Sequence, residues 1–101
     1  MSEPKFTPGP WRAGKSIYQS QARVVAEKGG RVADVFAYEE DQSHANATLI
    51  SLAPEMLNEL EVVQKAMLAI AEYSADEEIK ESARQHAAHI NIVVKKASGE
   101  K

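Results

Sequence analysis

The chain has no cysteine among its 101 residues. It therefore cannot form a disulfide framework, a thiolate metal site or a cysteine nucleophile, and we predict a reducing, cytoplasmic location. Long hydrophobic runs are missing too. No apolar stretch approaches the roughly 18 residues of a membrane span, so we expect no membrane partner. Residues 1–5 do not combine a basic segment with a following apolar one, and no signal peptide is predicted.

Basic charge is also scarce. The 12 Lys and Arg residues are outnumbered by 15 Asp and Glu residues, which gives a net charge of −3. Binding to nucleic acid through a broad basic face depends on neutralising phosphates, so we expect no nucleic-acid partner. A local basic bias remains in the first third of the chain, at Lys5, Arg12, Lys15 and Arg23. The length and the 44% hydrophobic content predict one soluble domain over residues 1–101.

Proline is nearly confined to the start of the chain, where three of the four prolines lie in residues 1–10. Proline restricts its own φ and the residue before it, which predicts an extended arm ending at Trp11. Gly29-Gly30 lies between two β-rich runs and predicts a type I′ hairpin. Its register would pair Lys28 with Arg31, Ala26 with Ala33, and Val24 with Val35.

That hairpin would have two different faces. One holds small apolar residues that suit a helix, and the other is mixed; the first comprises Val24, Ala26, Ala33, Val35 and Ala37, and the second Val25, Val32 and Phe36 beside Glu27 and Asp34. Because a lone hairpin is marginal in water, a further strand around residues 16–20 is expected to complete a three-stranded meander. The arm and the meander would occupy residues 1–38.

Residues 43–97 have helical patterns. Ser43 can cap a short helix running to about Leu52, which Pro54 interrupts. Two stripes at helical spacing follow, joined by the capping box Ser74–Glu77; they are Met56, Leu60, Val63, Met67 and Ile70, then Ile79, Ala83, His86, Ile90, Val93 and Ala97. Residues 98–101 should fray. The predicted fold is α+β: a small antiparallel hairpin or three-stranded meander, a short helix and a C-terminal antiparallel helical hairpin.

Apolar residues beside the two stripes leave surface to cover, namely Leu57, Leu68, Ile92 and Val94. A symmetric oligomer could cover it, and we predict a homo-oligomer because so small a domain buries little surface alone. The alternative is that the meander and the short helix cover it within one chain.

The sequence contains no visible catalytic constellation. Its serines lack a G-x-S-x-G setting, and the adjacent pairs Glu39–Glu40 and Glu77–Glu78 point in different directions on a helix. His86 and His89 lie one turn apart, but no acidic residue at a matching offset completes a metal site. We interpret His86 as packed or interfacial and His89 as solvated. We predict no enzyme, no catalytic residue, no metal and no cofactor.

Four residues are candidates for binding: Trp11, Arg12, His44 and Asn46. The lone tryptophan can stack a ligand or grip a peptide, but a buried ring that pins the arm is the favoured interpretation. Asn46 can face a ligand or tie the preceding loop by hydrogen bonds. His44 can contact a ligand or lie at the surface.

Two segments, Phe6–Trp11 and Asn46–Leu57, together resemble a family of small phage and prophage proteins. These open with a His-Thr-Pro-Gly-Pro-Trp box and carry a later Asn-Ala-x-Leu-Ile-x-x-Ala-Pro-Glu-Leu-Leu box. Here Phe6 replaces the usual His, and Met56 the usual Leu. The resemblance spans about residues 6–63. It implies a phage accessory gene acting inside a bacterium and brings no catalytic residues.

Two functions follow as hypotheses. The first is binding and modulating a host bacterial protein, for example in counter-defence such as anti-CRISPR or anti-restriction activity. Its basis is the acidic charge, the surplus apolar helix surface and the missing catalytic set. The alternative is an oligomer that sequesters a small nucleotide immune signal through the four candidate residues.

Overall fold

The computed structural model describes residues 5–15 and 21–99. The elements confirm the predicted α+β class; in order they are β1 (Trp11–Lys15), β2 (Gln21–Ala26), β3 (Arg31–Phe36), α1 (Glu40–Ser51), α2 (Ala53–Tyr73) and α3 (Glu77–Ala97). The chain divides into two compact units. Thr7–Met56 forms one, and residues 57–99 form the other together with Lys5 and Phe6.

The three strands form an antiparallel meander in the order β1-β2-β3. Its first strand begins at Trp11, which pairs with Ala26. The sequence had placed Trp11 at the end of an arm before the sheet, and a strand around residues 16–20. Trp11 is instead the first residue of the sheet, and residues 16–20 lie outside the described part of the chain.

The register of the β2–β3 hairpin differs from the prediction by two residues. Val24 lies opposite Ala33, and Ala22 opposite Val35. The turn is longer than two residues, because Ala26 N–H donates to Gly30 O (3.0 Å) and Gly29 N–H donates to Ala26 O (2.9 Å). Both glycines still have the predicted positive φ, 102° and 99°. Over residues 21–24 of β2, a shift of two residues keeps each side chain on its face, whereas a shift of one would place it on the other.

A β-bulge between Val24 and Val25 moves one side chain to the other face. Val25 pairs with Arg31 while Val24 pairs with Ala33, so Val32 is an extra residue on β3. The period-two pattern put Val32 on the outer face. That assignment is wrong, because Val32 packs against the core cluster, as an inserted residue changes the alternation of its strand.

The core of this unit lies between the sheet and α1. Its fully or nearly fully buried members are small; they are Ala22, Val24, Val35 and Ala47. Small side chains let a helix approach a sheet closely, and the interior is close-packed. The predicted apolar face is therefore confirmed for Val24, Ala26 and Val35, all of which are buried.

Ser43 does not cap α1, although it holds the helix in place. The N-cap position is Glu39, whose side chain makes no cap hydrogen bond. Ser43 is fully buried in the first turn, where its hydroxyl accepts from Ala37 N–H (2.8 Å). The helix begins at Glu40, earlier than predicted, and the buried Ser43 hydroxyl satisfies a backbone donor in the loop before the helix.

Pro54 separates the first two helices, as predicted. α1 ends at Ser51 and α2 starts at Ala53, so the missing N–H of Pro54 falls in a first turn that needs no internal partner. The first bond of the new helix runs from Met56 N–H to Leu52 O (2.9 Å).

α3 ends at Ala97, as predicted, but it is capped by a residue other than the one predicted. Its N-cap is Asp76, whose carboxylate accepts from the N–H groups of Glu78 and Ile79; Ser74 is not the cap, because its hydroxyl accepts from Asp76 N–H (3.2 Å). A charged oxygen close to two free N–H groups is the better acceptor. At the other end, Ser98 is the C-cap and Gly99 has φ 83°, where the sequence predicted fraying.

α2 and α3 pack as an antiparallel pair, as predicted, but along a rotated seam. Gln64 Nε2 donates to Asn91 Oδ1 across it (3.2 Å). The side chains buried or half-buried along it are Leu57, Leu60, Gln64, Met67 and Ala71 of α2 with Ala83, Ala87, Ile90 and Val94 of α3. Leu57 and Val94, predicted beside the stripes, thus belong to the seam. Seven predicted members are exposed and do not: Met56, Val63, Ile70, Ile79, His86, Val93 and Ala97.

Candidate functional site

Trp11 joins the arm to the core of the sheet unit. Its ring packs against the cluster formed by β2, β3 and α1, and its indole Nε1–H donates to Thr7 O (3.0 Å). A tryptophan with its apolar body against a core and its N–H bonded suits a structural role. The interpretation of Trp11 as an anchor for the arm agrees with this geometry.

Gly9 brings the arm against α2. A Cβ at Gly9 would lie 2.8 Å from Cβ and 3.0 Å from Cγ of Pro54, and Pro54 is buried. The two segments that suggested a family, Phe6–Trp11 and Asn46–Leu57, therefore meet directly. Glu27 N–H also donates to Pro10 O (2.9 Å), which ties the end of the arm to the end of β2.

The outer sheet face, which we define as Arg12, Arg23, Arg31, Asp34 and Phe36, lies opposite α1. Arg12 is opposite Val25 in β2, and Arg23 is opposite Asp34 in β3. Phe36, on the edge strand β3, is 66% exposed. Three guanidinium groups against one carboxylate make this face basic, although the whole chain is acidic.

Asp34 organises the charges of this face. Its two oxygens accept from Arg23 Nε (2.8 Å) and Arg31 Nη1 (3.1 Å). The hydrogen bond from Arg23, with the positive charges of both arginines, lowers the pKa of Asp34 below its ordinary 3.8. The arginine side chains are thereby held across β2 and β3 in a defined geometry.

We expect an acid-dependent loss of stability from Asp34. Because its folded pKa is lowered, the unfolded chain binds the proton at higher pH, and the contribution present above pH 3.8 is lost as pH falls through the folded pKa. Urea unfolding should show Asp34→Asn less stable than wild type at pH 7, with the difference shrinking towards pH 3. Arg23→Gln should reduce the acid dependence similarly. A pH-independent difference would contradict this role.

His44 and Asn46 both lie on α1, on different sides of it. His44 is half-buried and its carbonyl accepts from Thr48 Oγ1 (3.0 Å), whereas Asn46 is exposed. About 100° separates successive residues on a helix, so these two side chains diverge. Trp11 and Arg12 diverge as well, since adjacent residues of a strand face opposite ways. The structure does not bring the four candidates together, and their binding role stays a prediction.

His86 and His89 of α3 do not form part of a metal centre within the described residues. His86 is exposed rather than packed within the chain, and its Nδ1 hydrogen-bonds the carbonyl oxygen of Ser82 (2.7 Å). His89 is exposed, as expected. Within residues 5–15 and 21–99, no group of three or more His, Asp or Glu side chains is placed to hold a metal ion.

Sequence reasoning missed Arg31 and Phe36 as candidate binding residues. The signal was present, because Phe36 alternates with the inward Val35 on an edge strand and Arg31 follows the glycine turn. What the sequence could not show was that Arg12, Arg23 and Arg31 come together, since this depends on the register of three strands.

No helix within the described ranges is long and apolar enough to cross a membrane. A family model described as Salmonella phage P22 protein Y8K6 matches residues 1–101. The match extends past residue 63, where the resemblance of the two boxes ended, and includes α3. Neither a curated protein nor a solved structure matches the chain.

Proposed function

The chain belongs to the Salmonella phage P22 protein Y8K6 family, and from this premise we propose that it is a non-enzymatic phage accessory protein that binds a host protein. The expected form of action is counter-defence, in which the bound host protein, such as a CRISPR or restriction component, is blocked. The contact surface is the outer sheet face.

The observation that carries the proposal is the exposed Phe36 on the same sheet face as Arg12 and Arg31. Phe36 is 66% exposed at one end of β3, and both arginines are exposed on the same face towards the other end of the strands. Aromatic residues and arginine are enriched in protein interfaces and supply most of the residues whose truncation weakens binding strongly. A rigid sheet displays them without an ordering cost, which favours affinity.

The chemistry of this face also describes the partner. Asp34 offsets part of the charge of Arg23 and Arg31 through its two ion pairs, and Arg12 adds a further positive group. An acidic surface with an apolar hollow for the Phe36 ring complements this arrangement. Opposite potentials across an interface raise the association rate and exclude wrong partners.

The test compares full-length variants in a quantitative pull-down from lysate of a phage-sensitive host. Phe36→Ser should lose the specific partner, with a cost in binding of about 2 kcal/mol or more, as for a typical aromatic anchor. The matched control is Leu49→Ser, since Leu49 is 61% exposed on α1, and it should retain the partner. Circular dichroism confirms that both variants fold.

Equal recovery by wild type, Phe36→Ser and Leu49→Ser would overturn the assignment to the sheet face. If the folded wild type recovers no specific host protein, the proposal itself is overturned. A parallel thermal-shift series with cyclic nucleotides addresses the ligand hypothesis, because a bound nucleotide raises the melting temperature by mass action.

A further inference from the structure

The helical pair carries a second apolar row outside its seam. Its side chains are Val63 and Ile70 on α2 with Ile79, His86 and Val93 on α3, spaced by seven residues on each helix. The four aliphatic ones are 38–51% exposed. Residues seven apart lie nearly in line along a helix, so each helix has a continuous apolar edge beside the seam.

Both edges lie on the same side of the helical pair. Viewed along its own helix from the N-terminus, each row is rotated away from the seam in the same direction. In an antiparallel pair, this places the two rows on one face. Since Gln64 bonds Asn91, Val63 is about level with Val93, and Ile70 with His86. We call these five residues the hairpin face.

The opposite side of the helical pair is charged. The residues there include Glu61, Lys65 and Glu72 of α2 with Lys80 and Arg84 of α3. A helix that meets one neighbour needs one apolar stripe, whereas the apolar arc of α2 runs from the seam through Val63 and Ile70. An arc of that width fits a helix with two helical neighbours, as in a four-helix bundle.

We propose that the hairpin face packs against the same face of a second copy of this chain, forming an antiparallel four-helix bundle. The two-fold axis runs parallel to the helices, so that α2 of one chain lies on α3 of the other. Such an interface is self-complementary, because each contact occurs twice.

Charged residues at the edges of the hairpin face favour a second copy of this chain as the partner and a two-fold axis parallel to the helices. Glu59 lies beyond Val63 on the outer edge of α2, and Lys96 lies on the outer edge of α3 at about the same level. They are on opposite edges of one chain, but the axis along the helices sets Glu59 of each chain beside Lys96 of the other. A two-fold axis perpendicular to the helices would not bring these opposite charges together. Complementary charges fix the register of helical partners.

The experiment measures the mass of the full chain by sedimentation velocity over a concentration series. Wild type should have twice the 11.1 kDa mass of one chain. Ile70→Lys should weaken the dimer by about 100-fold or more, because the interface would bury an unpaired charge. The matched control is Leu68→Lys on the other side of α2, 51% exposed, which should leave the dimer intact.

A charge swap keeps the test independent of folding defects. Glu59→Lys should raise the dissociation constant several-fold, and Glu59→Lys combined with Lys96→Glu should restore it. Phe36→Ser, on the sheet, should leave the mass unchanged. A monomeric wild type at about 100 μM, a dimer that survives Ile70→Lys, or a swap that fails to restore Glu59→Lys would each overturn the proposal.

Discussion

Replacing Gly9 with alanine is expected to destabilise the protein by about 1–3 kcal/mol, the usual cost of forcing a methyl group into a packed site. The new Cβ would lie 2.8 Å from Pro54 Cβ, closer than non-bonded carbon atoms approach one another in folded proteins. Pro54 cannot yield easily, because its ring is rigid, buried and part of the first turn of α2. The clash would push the arm, and with it Trp11, away from the core.

Chemical denaturation of wild type, Gly9→Ala and Gly14→Ala measures this effect. Gly14 is the matched control, since a Cβ there meets nothing within 4 Å and alanine costs less chain entropy than glycine in a strand. Gly14→Ala should be as stable as wild type or slightly more so. If Gly9→Ala unfolds at the wild-type midpoint, the arm does not pack on Pro54 in solution.

Replacing Ser43 with alanine should also cost about 1–3 kcal/mol, the penalty for leaving a buried donor unpaired. Ser43 is fully buried and its hydroxyl accepts from Ala37 N–H. Alanine cannot accept that proton, and bulk water does not reach this site, since Ser43 has 0% exposure. The loop between β3 and α1 should therefore loosen.

Ser51→Ala is the comparison for this change. Ser51 is also buried, but its hydroxyl donates to Thr48 O (2.6 Å), and its loss leaves no backbone N–H unpaired. Its cost should stay below about 1 kcal/mol, as for an ordinary net hydrogen bond. Hydrogen exchange should show faster exchange of the Ala37 amide in Ser43→Ala only. Equal stabilities of the two variants would contradict the role given to Ser43.

The two sequence segments that suggested a phage family have a structural explanation. Gly9 in the first segment is the point of closest approach to Pro54 in the second. Trp11 then packs on the core that α1 completes. The pattern of glycine, proline and tryptophan is thus explained by the packing of the arm on the sheet unit. The proposed contact surface includes no residue of either segment, although Arg12 follows Trp11 directly.

Much of the secondary structure could be predicted locally. Gly29-Gly30 marks the hairpin turn, and Pro54 marks the start of α2, because each has a backbone restriction that acts whatever its surroundings. The inward face of Val24, Ala26 and Val35 followed from the period of a strand. The predicted cap at Ser43 was wrong because a buried hydroxyl can serve a donor in a loop outside its own helix.

The seam of the helical pair could not be predicted from the local pattern alone. Both long helices have apolar arcs wider than one neighbour can cover, so the period of 3.6 residues permits several seams. The structure selects Leu57, Ala71, Ala83 and Ala87, in part because small alanines let the helices approach. It leaves Val63 and Ile70 on the hairpin face, where the sequence alone had placed them inside.

The sequence by itself determined the second and third strands, the three helices, their order, and the apolar side of the sheet, because backbone restrictions and side-chain periods act over a few residues. Only the tertiary structure decided the first strand, the strand register, the bulge at Val24 and Val25, the meeting of Gly9 with Pro54 and the pairing of Arg23 and Arg31 with Asp34. Each of these depends on contacts between residues distant along the chain, and among alternatives that satisfy the same local pattern the best-packed one is selected.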